Sequence, residues 1–129
     1  MLVTEAIERA NAVLPGEPAP DGVEDPRWQA IIEIATYIDS HPEEVWQFAH
    51  HWGNCSQEDV RDAIACCLLE HLLEHHWQLL FPQVAQAAKE EPLLADTVSR
   101  CWKFGQSADV ANAAEFDRLI AWCRASRRR

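Results

Sequence analysis

Nothing in the stretch from Ser56 to Leu80, SQEDVRDAIACCLLEHLLEHHWQLL, interrupts a helix. It contains neither Gly nor Pro, and Pro82 is the first residue able to stop it. Ser56 with Asp59 three positions on forms a capping-box start. Glu58, Asp59 and Asp62 fall in the opening turns, where the positive end of the helix dipole favours acids. A helix over 56–80 is roughly 37 Å long, longer than a small domain is wide. The other elements must therefore be arranged around it. Its first half, from Val60 through Leu69, is apolar nearly all round and requires neighbours on most sides. Its second half, EHLLEHHWQLL, is amphipathic.

The flanking chain also reads as helix. Apolar residues at 2, 3, 6, 7, 10, 13 and 14 predict a first helix that stops at Pro15. The segment PGEPAPDGVEDP follows as a loop, so the first helix is expected to pack loosely or on a partner. Asp25-Pro26 is an N-cap followed by a first-turn proline and opens a helix to about Ser40. Pro42 opens another, which Gly53 closes. Pro82 and Pro92 are expected to begin two more, the second ending at Gly105, and Ser107 to cap the last. The expected fold is all-α: a compact stack of antiparallel helix pairs around the 56–80 helix. It forms one domain over 1–129, with an N-terminal helix at 1–14, a Pro-rich loop at 15–25, a helical core at 26–125 and a frayed basic tail at 126–129.

Charge narrows the partners. The chain carries 11 basic and 21 acidic residues, a net charge of −10. Four of the bases are Arg124, Arg127, Arg128 and Arg129, and no acid follows Asp117. A body this acidic repels a phosphate backbone, so no nucleic acid is expected. It suits a basic protein partner, or it keeps the chain soluble. Glu5, Glu8 and Arg9 interrupt the N-terminal apolar stretch, so no signal peptide is expected. No apolar run approaches the length of a membrane span. The five cysteines, at 55, 66, 67, 101 and 123, form no CxxC pair. They read as reduced core residues of a cytoplasmic protein.

Within the long helix, EDVRDAIACCLLEHLL resembles the second helix of a HEAT-type repeat, with Asp59, Val60 and Arg61 followed by Ala63, Ala65, Leu68 and Leu69. Helix 42–52 would be the first of that pair. The match covers about a third of the chain, and no period near 40 residues recurs. The resemblance implies a stacked-helix scaffold that binds other proteins through an exposed face, and it carries over no catalytic residue. In size, charge and helical class the chain also resembles small bacterial immunity proteins, which neutralise a cognate toxin.

Two constellations could carry function. His71 and His75 are four residues apart on one helix face and could chelate zinc or another divalent metal with a third ligand such as His50. That arrangement resembles the metal site of the DinB-like bundle enzymes in spacing alone. The glutamate that follows the first His in zincin helices is missing, because Leu72 stands there. The plainer reading places both His at the edge of the core, paired with Glu on neighbouring turns. The second constellation is acidic: Glu43, Glu44, Asp59, Asp62, Glu70 and Glu74. It reads either as a solvated face or as a docking surface for the Lys and Arg of a partner. Of the six Trp, most occupy apolar helical positions and one or two are expected to be exposed. The function expected is a non-enzymatic protein-binding module, an acidic inhibitor or immunity-type protein for a basic partner. The alternative is a metal-binding helical-bundle enzyme built on the HxxxH pair.

Overall fold

The structure, a computed structural model, describes residues 2–126, and these are helical throughout apart from turns and connections. The arginines of the expected tail at 127–129 lie outside the described residues. Helices α1 (Val3–Val13), α2 (Pro26–Ala35) and α3 (Pro42–Trp52) precede the central rod. The rod consists of α4 (Glu58–Ile64), a π-helical segment (Ala65–Leu69) and α5 (Glu70–His75). Then come α6 (Trp77–Glu90), α7 (Pro92–Ser99), a 3-10 turn (Gly105–Ala108) and α8 (Val110–Ser126). α1 packs on α2, α3 on α4, α5 on α6, α6 on α7 and α7 on α8, and the π segment meets α2, α3 and α7. One contiguous core runs from Ala6 on α1 to Cys123 on α8. No helix among the described residues is long and apolar enough to cross a membrane.

The starts at 26 and 42 follow their local signals. Asp25 accepts from the backbone N–H of Arg27 at 2.9 Å, and Pro26 and Pro42 occupy first-turn positions whose N–H would be unpaired anyway. Gly53 closes α3 as expected, but not through the left-handed backbone that commonly favours glycine at a helix end. Its φ is −68°, so no left-handed turn is involved. A Cβ there would come within 2.6 Å of the Ala49 carbonyl and 3.0 Å of Leu94 Cδ1. Glycine is needed because α7 packs directly on the end of α3, where Thr97 Oγ1 donates to the Gly53 carbonyl at 2.5 Å.

Several expectations are corrected. Ser56 does not cap the rod. The N-cap is Gln57, and neither its side chain nor the Asp59 carboxylate closes a capping box. Both serve Arg27, whose side chain is buried and needs acceptors for its whole fork. Arg27 Nη1 donates to Gln57 Oε1 at 2.6 Å, Nη2 donates to Asp25 Oδ2 at 2.8 Å, and Nη2 also donates to Asp59. These hydrogen bonds from Arg27 hold the Asp25 carboxyl down at about 2.

The rod does not run unbroken to Leu80. His76 leaves the helical region at φ −136° and ψ 46°. Trp77 then starts α6, which passes through Pro82 instead of starting there. The first helix is not loose: Val3, Ala6, Ala10 and Leu14 are buried, and Trp52 Nε1 donates to Asn11 Oδ1 at 2.7 Å. The helix from Pro26 gives way after Ala35 to tight turns, where the Thr36 hydroxyl bonds back to the Glu33 carbonyl at 2.7 Å. The helix from Pro92 ends at Ser99, not at Gly105. Ser107 does not cap α8. It is buried in the 3-10 turn, where its hydroxyl bonds the Phe104 backbone at both N–H and carbonyl.

Candidate functional site

The break at His76 and the non-helical segment after α7 form one assembly. The 3-10 turn lies against α5. Gln106 Oε1 accepts from the backbone N–H of Trp77 at 2.9 Å, which satisfies one donor exposed by the new helix start. Gly105 has φ +51°, and a Cβ on it would stand 2.7 Å from Glu74 Cγ and 3.0 Å from the Glu74 carbonyl. Only glycine fits that contact and that backbone. The Phe104 ring lies over His71, with centroids 6.1 Å apart and planes 15° from parallel. The break turns Trp77 into the interior, where it stacks on Phe81 at 4.1 Å and meets Phe116 at 5.9 Å.

What this clamp displays is apolar. Trp102 is 74% exposed, Phe104 43% and Val110 91%. Residues 101–104 are not helical, and Phe104 has extended backbone angles. The i, i+2 spacing puts Trp102 and Phe104 on one side of an extended segment. Cys101 between α7 and Trp102 is buried, and burial pushes its thiol up. Lys103 is paired with Asp117. The segment is therefore held from below while its aromatic rings face solvent.

Glu70 lies under this ridge. It is 5% exposed and its Oε2 has no hydrogen-bond partner. Burial raises its carboxyl above the usual range, and Glu74 adds to that, while the backbone N–H of Trp102 and the ring of His71 oppose it. It stands where the π segment meets α5. A π segment inserts extra backbone into an α-helix and is frequent at functional positions.

The predicted site residues are distributed as follows. Glu74, His71 and His75 come together: His71 Nδ1 donates to Glu74 Oε1 at 2.8 Å, and His75 Nε2 lies 3.5 Å from the same oxygen. With Ala35, Ile38 and Asp39 the two His line an open hollow of about 250 Å³. His50 is elsewhere, on α3. It stacks on Trp46 and donates to Glu91 Oε2 at 2.9 Å. Among the described residues, no group of three or more His, Cys, Asp or Glu is placed to hold a metal ion. Glu70 is not on the surface face where the acidic reading put it.

Asp59 and Asp62 answer to internal partners. Asp59 serves Arg27. Asp62 accepts from Arg100 Nη1 at 2.8 Å, in a network where Arg100 also holds Glu58 and Asp96, and Asp96 also takes Arg61. Glu43 and Glu44 are in the first turn of α3. Glu43 is exposed, and half-buried Glu44 lines a hollow against α1. The six acids therefore do not form one face.

The sequence reading missed the ridge. Its trace was present in Trp102-Lys103-Phe104, where apolar and polar residues alternate just before a glycine. Two Trp, 102 and 122, are exposed, as the sequence led us to expect. No known protein family, curated protein or solved structure matches this chain.

Proposed function

We propose that this chain is a non-catalytic protein-binding module of the acidic inhibitor or immunity type, and that it holds a basic partner on the Trp102–Val110 ridge. The carrying observation is the 74% exposure of Trp102 on a segment that Glu70, His71, Glu74 and Gly105 hold in place. A large ring presented on a rigid base costs little ordering entropy on binding, and such rings dominate interface energies. Glu74 and Asp109 border the ridge, and the net charge of −10 would steer a cationic surface toward it. The reading agrees with what the HEAT-like resemblance implies, a stacked-helix scaffold with one exposed recognition face.

The test begins with a photo-crosslinking residue at position 102 in cells of the natural source, followed by affinity measurements on the purified captured protein. The partner is expected to be basic. Trp102→Ala should weaken binding by about 2 kcal/mol, roughly 30-fold. Glu74→Lys should weaken it less and flatten its dependence on salt. A captured partner whose affinity is unmoved by Trp102→Ala would remove the ridge from the interface.

A further inference from the structure

A second surface, separate from the ridge, runs between α6 and α8. The two helices meet through Phe81 and Phe116, whose ring centroids are 6.2 Å apart. A furrow of about 380 Å³ opens over Phe81, Ala85 and Leu119. It continues past Trp122 into a second hollow of about 170 Å³ toward Pro92 and Ala95, and Trp122 and Lys89 line both. Trp122 is 40% exposed although Cys123 beside it is fully buried. Along α8 the furrow extends from Glu115 to Ser126, about 16 Å or three helical turns.

The charges on its walls are unusual for this molecule. Arg9, Arg27, Arg61, Arg100 and Lys103 each hold a carboxylate. Lys89 on α6 and Arg118 on α8 form no ion pair with any described residue, although the chain has 21 acids to 11 bases. Arg124 is likewise unpaired, but it lines the opposite side of α8. One unanswered cation thus stands on each wall of an apolar furrow, and among the described residues lining it Glu115 alone is acidic.

We infer that the furrow docks an acidic amphipathic helix from a partner protein. Its apolar stripe would lie over Phe81, Leu119 and Trp122, and its carboxylates would reach Lys89 on one side and Arg118 on the other. Three turns is the length over which i, i+3, i+4 and i+7 anchors engage a groove. An open furrow with cations on both walls suits a helix flanked by acids better than it suits a small enclosed ligand.

The test uses the full chain, isotopically labelled for NMR, and a synthetic amphipathic helix of about 16 residues with a Leu stripe flanked by Glu. A twin peptide with Lys in place of Glu is the comparison. The Glu peptide should shift the Trp122 indole and the Lys89 and Arg118 amides, and should bind about tenfold tighter than its twin at low salt. Lys89→Glu with Arg118→Glu should reverse that preference while circular dichroism and the melting midpoint stay near wild type. The inference is overturned if millimolar Glu peptide leaves these signals unmoved, or if the two peptides bind equally. It is also overturned if shifts appear only at residues 102–110, or if the preference survives the double charge reversal. Concentration-dependent shifts of Trp122 without peptide would assign the furrow to a second copy of this chain and overturn it too.

Discussion

Glu70 shows most plainly how one residue couples stability to the ridge. The sequence reading placed it on a solvent-facing flank, because Glu70, Glu74 and the two His looked like the polar edge of an amphipathic helix. The π segment, together with residues 101–104 lying over α5, buries it and leaves Oε2 without a partner. Burial raises its pKa, so the folded state favours the protonated form. The sign follows by linkage. The stability tied to this group is fully present below the ordinary glutamate range and is lost as pH rises through the raised folded value. Glu70→Gln should therefore unfold at higher urea than wild type at pH 8, by about 1 kcal/mol. The advantage should shrink toward zero near pH 4. An equal effect at both pH values would mean that ionisation of Glu70 is not what costs stability.

At the scale of the element, the central rod carries both the clearest success of pattern reading and its clearest failure. The apolar stretch does sit at the centre, with the π segment touched by α2, α3 and α7, but it is not covered all round: Cys66, expected in the core, is exposed and Cys67 is half-buried. The break at His76 was not visible, because no Gly or Pro marks it. It is set by remote partners: the Gln106 side chain takes the Trp77 N–H, and Phe81 and Phe116 receive the Trp77 ring. Pro82 was expected to begin a helix and instead lies inside α6. There it cannot donate to the Gln78 carbonyl, and its ring crowds that turn. Pro82→Ala should restore the bond and stabilise the protein by about 1 kcal/mol or more. Part of the gain is offset because proline also restricts the unfolded chain. Urea unfolding measures this directly. A destabilised Pro82→Ala would show that the proline's rigidity outweighs the hydrogen bond it forgoes.

Over the whole molecule, the balance of charge acts in two ways. Buried Arg27 and Arg61 and half-buried Arg100 pair with Asp25, Asp59, Asp62, Glu58 and Asp96 in two networks at the start of the rod. The pairs sheltered on both sides, Arg27–Asp25 and Arg61–Asp96, are screened little by salt. The remaining acids are mostly exposed and repel one another through a net charge of −10. Raising NaCl from about 10 mM to about 300 mM at pH 7 should therefore raise the melting midpoint, because screening relieves the surface repulsion first. A midpoint that falls with salt would mean that the ion networks outweigh the repulsion.

Local chemistry determined the helical class, the cap at Asp25 and the proline starts at 26 and 42. Each depends on the spacing of apolar residues or on one or two neighbouring side chains, so the chain itself carries the information. Tertiary structure decided which acids reach the surface, where the rod breaks and which aromatics stay outside. A buried guanidinium takes its acceptors wherever they can be found, which drew Gln57 and Asp59 away from capping. An extended segment is placed by what it lies against, which put Trp102 in solvent and Glu70 beneath it. Such choices are settled by contacts between residues 29 or more apart, which a local pattern does not specify.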